Sequence, residues 1–176
     1  MRLFIACNFP HHVRQFLVEQ QNLIKTVCTK GRFTKEENLH LTLIFLGEVA
    51  EEDLPSITTI LDRVKTAPFS ITFNELGSFK RRDGDIWWMG ISPNPPLQSL
   101  HKNLFEELVQ AGFNLDARPF TPHITLARGV RLHQQVEGIT ETLTARVHRI
   151  SLMQTVHVLG RLSYIELHGK NLSSPK

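Results

Sequence analysis

Apolar runs alternate with stretches in which apolar residues recur at helical spacing. Residues 2–9 form an apolar run that ends at Pro10, and residues 11–28 carry one apolar stripe. The same two patterns recur at 86–92 and 96–111. Residues 51–65 predict a further helix, and further strands are predicted at 31–34, 69–79, 147–159, 162–169 and around His40 and His123. Residues 131–144 have no clear period, with a short helix as the leading interpretation, and 170–176 is predicted to fray.

Two of these strands carry polar residues among apolar ones. They are "NLHLTLIFLG" at 38–47 and "TPHITLARG" at 121–129. Residues two apart in a strand share a face, so His40 lies with Thr42, and His123 with Thr125. One His in a strand is usually a surface residue or a satisfied polar residue. Two copies of the same pattern favour a functional interpretation.

The two motifs belong to a weak internal repeat. His123 follows His40 by 83 residues (123 − 40), and the same offset brings residues 3–10 onto 86–93. The helices between them do not match residue for residue. We predict one domain over 1–176, built from two units about a pseudo-two-fold axis. The two His–Thr faces would then meet across a central cleft.

Composition narrows the class of protein. The net charge is +3, which mildly favours acidic partners, and two cysteines make neither a disulfide framework nor a metal-binding spacing. No apolar run is long enough to span a membrane, and the first residues lack the layout of a signal peptide. We therefore expect a monomeric cytoplasmic protein.

Two histidines facing each other suit acid–base chemistry near neutral pH. One can take a proton from an attacking oxygen while the other gives one to the leaving oxygen. The hydroxyls of Thr42 and Thr125 and the guanidinium of Arg128 can stabilise charge on a phosphate. A cyclic phosphodiester fits best, because its ester oxygen leaves without help from a metal. The sequence has no HExxH or Cys–His cluster, so we predict neither metal nor cofactor.

The motifs "HLTLIFLG" and "HITLARG" resemble the two HxTx signatures of the 2H phosphoesterase superfamily. The likeness is closest to its RNA 2′,3′-cyclic phosphodiesterases, also called 2′-5′ RNA ligases, and it covers nearly the whole chain. The resemblance implies an α+β fold of two pseudo-symmetric antiparallel-sheet lobes, with helices outside and a central cleft. Residues 130–146 match no pattern of the family.

The resemblance also implies a reaction and its residues. A terminal 2′,3′-cyclic phosphate of RNA would be hydrolysed to a 2′-phosphate without metal, with reversible 2′-5′ ligation of RNA such as tRNA halves. His40 would be the general acid and His123 the general base, although the near symmetry of the motifs allows the reverse. Thr42, Thr125 and Arg128 would hold the phosphate.

RNA contacts outside the motifs are predicted from charge and aromaticity. The turn at Lys80, Arg81 and Arg82 is basic, and rings that could stack on a base are Trp88, Phe9 and Phe120. Burial in the strand 86–92 is the competing interpretation for Trp88. Two other functions remain open, a cyclic phosphodiesterase of small nucleotides and a non-catalytic RNA-binding module.

Overall fold

The computed structural model describes residues 1–136, 138 and 141–174, which form two antiparallel sheets with helices packed against them. The first sheet has the order β3-β1-β8-β9, and the second has the order β2-β6-β5-β4-β7. The strands are β1 (Arg2–Asn8), β2 (Cys28–Phe33), β3 (His40–Glu48), β4 (Phe69–Phe79), β5 (Asp85–Ile91), β6 (His123–Leu132), β7 (Leu143–Val147), β8 (Arg149–Val158) and β9 (Arg161–Asn171). The helices are α1 (His11–Thr26), α2 (Leu54–Arg63) and α3 (Pro95–Gln110).

This arrangement confirms the predicted α+β fold of two lobes. Each helix begins where the sequence signals a start. Asn94 caps α3, since its side chain accepts a hydrogen bond of 3.0 Å from the backbone N–H of Leu97, and two prolines follow it. Pro10 precedes α1, and Pro55 lies in the first turn of α2.

The helices tie the lobes together across one shared core. Helix α1 follows β1 of the first sheet but packs against β6 of the second, whereas α3 follows β5 and packs against β3 of the first. Each sheet turns one face toward this core, which includes Leu41 and Leu43 of β3 and Ile124 and Leu126 of β6. The opposite faces are left for the polar residues of the motifs.

Two predictions about local structure are wrong. No helix lies in the described part of 131–144, because β6 continues to Leu132 and β7 begins at Leu143; residues 137, 139 and 140 lie outside the described residues. The predicted frayed tail is ordered at its start, since β9 runs to Asn171 and Leu172 is 6% exposed. Residues 175 and 176 lie outside the described residues. Among the helices that the structure describes, none is both long and apolar enough to cross a membrane.

Candidate active site

The two His–Thr strands lie beside each other where the sheets adjoin. Strand β3 is the edge of the first sheet and contacts β6 of the second. His40 pairs with Asn8 on β1, and His123 pairs with Gly90 on β5. Each histidine is the first residue of its strand and forms the last pair at that end of the ladder. Because β3 contacts β6, the two histidines begin neighbouring strands, and the charge of a protonated His123 is the smallest of the causes that lower the pKa of His40.

Both ladders skip the residue directly after the motif threonine. The skipped residues are Leu43 on β3 and Leu126 on β6. A β-bulge of this kind reverses the alternation of faces beyond it. The third residue after each threonine, Phe45 or Arg128, therefore returns to the face of the histidine. The Phe45 ring lies 6.2 Å from that of Phe4, which belongs to the same face.

Both imidazoles are held in the same tautomer. His40 Nδ1 lies 2.7 Å from the carbonyl oxygen of Asn38, and His123 Nδ1 lies 2.7 Å from that of Thr121. Because a carbonyl only accepts, Nδ1 carries the proton in each ring, and Nε2 of the neutral ring is left with a free electron pair. Thr42 Oγ1 lies 2.9 Å from His40 Nε2, and its hydroxyl donates to the neutral ring.

The site favours neutral histidines. Burial is the largest cause that lowers the pKa of His40 and of His123 below the ordinary value of 6.5. The hydrogen bonds to backbone carbonyls oppose this effect, since they favour the protonated ring. The positive charge of Arg128 lowers the pKa of both rings further. Either imidazole can therefore accept a proton at neutral pH.

Aromatic rings hold the His40 imidazole from two sides. Phe4 lies 4.8 Å from it, and Tyr164 of β9 meets it edge-on at 5.0 Å. The rings of Phe4 and Tyr164 also contact each other edge-on at 4.9 Å. Burial raises the pKa of Tyr164, and the charge of Arg128 opposes the rise, so the phenol also faces the site.

A second aromatic group surrounds His123. The Phe79 ring meets the imidazole edge-on at 5.2 Å, and the Trp88 ring centre lies 6.3 Å away. The Trp88 indole covers Gly77 so closely that a Cβ built there would lie 2.2 Å from the indole. Gly77 is therefore required for this ring position. Trp88 thus lies on the face of His123, half-buried.

Two further rings, Phe9 and Phe120, were predicted to stack on RNA, and the structure buries only the first of them. Phe9 is 3% exposed and meets Phe73 edge-on at 5.6 Å in the core, so the prediction that it stacks on RNA is wrong. Its side chain turns inward as the chain leaves β1 for α1. Phe120 is half-buried and stacks on His101 at 4.0 Å beside an open cavity of about 400 Å³.

The basic turn predicted at Lys80, Arg81 and Arg82 lies next to Arg128. A Cβ built at Gly84 would lie 2.6 Å from the backbone of Gly129, so the turn packs against β6 directly beyond Arg128. Lys80 itself is bound to Asp85 at 2.6 Å. Arg81 and Arg82 are exposed.

The sequence analysis missed four aromatic residues of the site, namely Phe4, Phe45, Phe79 and Tyr164. Each lies in a strand that was predicted, but the partner strand and the bulges decide which face it occupies. Tyr164 offered one signal, as the single tyrosine of the sequence in a strand of mixed polarity.

Metal ligands are not assembled in this region. Within residues 1–136, 138 and 141–174, no group of three or more His, Cys, Asp or Glu side chains is placed to hold an ion.

Known proteins are similar to this chain in sequence and in fold. The model of the 2′-5′ RNA ligase superfamily matches residues 10–158. An RNA 2′,3′-cyclic phosphodiesterase of Archaeoglobus fulgidus is 32% identical over 142 residues, which cover 79% of this chain and 78% of that protein. One from Geobacillus stearothermophilus is 40% identical over 128 residues, 71% of this chain. The matched stretch spans only 41% of that relative's length.

A solved structure agrees over nearly the full length. Escherichia coli LigT in complex with 3′-AMP has a TM-score of 0.88 and 28% identity, with 98% of each chain covered. The chain therefore belongs to the 2′-5′ RNA ligase superfamily, within the two-histidine phosphoesterases, and the resemblance of its motifs is confirmed.

Proposed function

We propose that this protein is an RNA 2′,3′-cyclic phosphodiesterase that opens a terminal cyclic phosphate to a 2′-phosphate. One observation carries the proposal. Two histidines begin contacting strands, and a backbone carbonyl fixes Nδ1 of each, so that Nε2 is the atom available for proton transfer. The names of the relatives from Archaeoglobus and Geobacillus support RNA with a cyclic phosphate end as the substrate.

The reaction needs one base and one acid. His123 Nε2 takes a proton from water as the water oxygen bonds to phosphorus. The bond between phosphorus and O3′ breaks, and His40 Nε2–H gives its proton to O3′. The products are a 2′-phosphate and a 3′-hydroxyl, and one proton has moved from His40 to His123 in net terms. The opposite assignment of acid and base balances equally well.

Charge builds on the non-bridging phosphate oxygens during this step. The hydroxyls of Thr42 and Thr125 and the guanidinium of Arg128 are the donors on the face of the histidines. The bound phosphate anion also favours the protonated form of His40, which the acid needs. Its negative charge opposes the effects of burial and Arg128, and so raises the pKa of His40 when substrate is bound.

The same step with a 5′-hydroxyl in place of water forms a 2′-5′ linkage between two RNA ends. Ligation of tRNA halves is the corresponding proposal. The residues proposed to contact the RNA near the site are Lys80, Arg81, Arg82, Trp88 and Phe120. Monomeric state and a cytoplasmic location stay predictions.

The proposal is tested with a short RNA that ends in a 2′,3′-cyclic phosphate, in the presence of EDTA. The product is compared by ³¹P NMR with synthetic 2′- and 3′-phosphate standards. We expect a 2′-phosphate, and a loss of about 10²–10⁴-fold in kcat for His40→Ala and for His123→Ala, the range that general acid–base groups contribute. His148→Ala removes an exposed histidine between β7 and β8 and serves as the matched control.

The possible results separate the three candidate functions. Turnover of 2′,3′-cyclic AMP by a parent that ignores the RNA would favour a small-nucleotide enzyme. RNA binding without any turnover, unchanged by His40→Ala, would favour a binding module. A 3′-phosphate product would contradict the direction of ring opening.

A further inference from the structure

Four basic side chains form two cross-strand pairs beside the site. Lys30 pairs with Arg131, and Arg32 pairs with Arg128, between β2 and β6. All four side chains are exposed. Gly31 lies between Lys30 and Arg32 on β2. A Cβ built at Gly31 would lie 3.2 Å from the side chain of Val130, a buried core residue, so Gly31 faces the core. The basic side chains therefore project from the opposite face, which is the face of the active site.

These charges have no counter-charge among the described residues. No carboxylate of that part of the chain lies within ion-pair distance of any of the four. Four positive charges on one patch exceed the net charge of the whole chain, which is +3. Like charges directly opposite each other in a sheet are destabilising. The fold thus bears two unfavourable pairs side by side.

Protection of a sheet edge does not account for this pattern. Charges on edge strands hinder pairing with other chains, and β2 is such an edge. However, Arg128 and Arg131 lie on β6, which has a hydrogen-bonded strand on either side. A concentrated, unpaired positive patch is instead the feature that attracts a polyanion.

We propose that Lys30, Arg32 and Arg131 continue the phosphate site of Arg128 into a track for single-stranded RNA. The inference rests on the proposed function for its substrate. The reactive cyclic phosphate is at the 3′ end, so every other phosphate of the substrate lies on its 5′ side. The track therefore binds phosphates upstream of the terminal nucleotide. Cross-strand neighbours lie about 5 Å apart and Arg128 and Arg131 up to roughly 10 Å apart along β6, which allows contact with more than one phosphate.

The test compares two substrates that differ only in upstream phosphates. One is a mononucleotide 2′,3′-cyclic phosphate, and the other is a five-nucleotide RNA that ends in the same group. The variant is Lys30→Ala with Arg32→Ala. We expect kcat/KM for the RNA to fall at least tenfold at low salt, and to fall by less than threefold for the mononucleotide. The slope of log(kcat/KM) against log[salt] for the RNA should become shallower by about 1.4, since each phosphate contact on a single strand contributes about 0.7.

A matched control removes two charges elsewhere. Lys65→Ala with Arg146→Ala changes the net charge equally, and Arg146 lies on β7, at the far edge of the same sheet. Four strand spacings separate β7 from β2, roughly 19 Å. This control should leave the salt slope and the RNA preference unchanged.

Stability provides an independent check. Removal of like-charge pairs should leave the Tm of the Lys30/Arg32 double variant equal to that of the parent or above it. If the alanine variant is less stable, Lys30→Gln with Arg32→Gln keeps the side-chain stems and repeats the test. An unchanged salt slope, or an equal loss on both substrates, would overturn the track.

A binding assay tests the track even if the proposed catalytic function is wrong. If the parent hydrolyses neither substrate, fluorescence anisotropy of a labelled single-stranded RNA replaces kcat/KM. A shallower salt slope for the double variant would then still support the track, and an equal slope would reject it.

Discussion

Asn38 links His40 to strand β9, through its backbone carbonyl on one side and its side-chain amide on the other. Its carbonyl oxygen holds His40 Nδ1 at 2.7 Å, and its side-chain Nδ2 donates to the carbonyl oxygen of Leu162 at 3.1 Å. Leu162 lies two residues before Tyr164, the ring that meets His40 edge-on. Asn38 is 6% exposed, so water does not readily replace its amide. We therefore expect Asn38→Ala to affect both the stability of the fold and the position of His40.

The size of the effect follows from the bond that is lost. A hydrogen bond contributes about 0.5–1.5 kcal/mol, and a small cavity adds to the loss, so we expect a decrease of about 1–2 kcal/mol in the free energy of unfolding. For a chain of this length each kcal/mol corresponds to about 2–4 °C, which gives a fall in Tm of about 2–8 °C. We also expect kcat to fall about tenfold with little change in KM, because small displacements of a catalytic group are costly.

Thermal denaturation and steady-state kinetics on the cyclic phosphate RNA measure the two effects. Asn74→Ala is the matched control, since Asn74 is an exposed asparagine on β4. It should change the free energy of unfolding by less than about 0.5 kcal/mol. If Asn38→Ala kept both the Tm and the kcat of the parent, the bond to Leu162 would have no part in holding the site, and the reasoning would fail.

Three further predictions concern pH, packing and a turn. The folded-state pKa values of His40 and His123 lie below the unfolded value, so the unfolded chain binds more protons below about pH 6.5. Stability should fall from pH 7 to pH 5, measured by urea denaturation, and the fall should be smaller in His40→Gln; an equal fall would contradict the pKa shift. Gly77→Ala places a Cβ 2.2 Å from the Trp88 indole, and should destabilise the fold by about 1–3 kcal/mol and alter tryptophan fluorescence; an unaltered spectrum would show that the ring was not held there. Leu159 is 96% exposed at φ 51° in the β8–β9 turn, so Leu159→Gly should raise Tm by about 2–4 °C; a lower Tm would mean that this leucine makes a stabilising contact.

Local patterns were sufficient to predict the motif strands, because strand alternation needs no knowledge of the partner strand. His40 with Thr42, and His123 with Thr125, could be placed on common faces in this way. The fold class came from the resemblance of the two motifs to a known family, because alternation within a strand does not say which strands pair.

Local patterns did not predict the pairing between strands. The bulges at Leu43 and Leu126 depend on which residues of β1 and β5 bond to them, and this pairing brings Phe45 to the face of His40. Tyr164 meets His40 because β9 joins the same sheet through β8, a contact across 124 residues of sequence (164 − 40). Phe9 was misassigned because the strand ends directly before it and its ring turns into the core.

Matched bulges place unlike residues at corresponding positions of the two motif strands, Phe45 on the face of His40 and Arg128 on the face of His123. A cleft with true two-fold symmetry would accept a small symmetric anion equally well in either of two orientations. Here one side offers an aromatic ring that is 64% exposed, and the other offers a guanidinium. The two orientations of an asymmetric ligand therefore differ in energy. A site built from two similar motif strands can in this way distinguish the two directions of a nucleic acid strand.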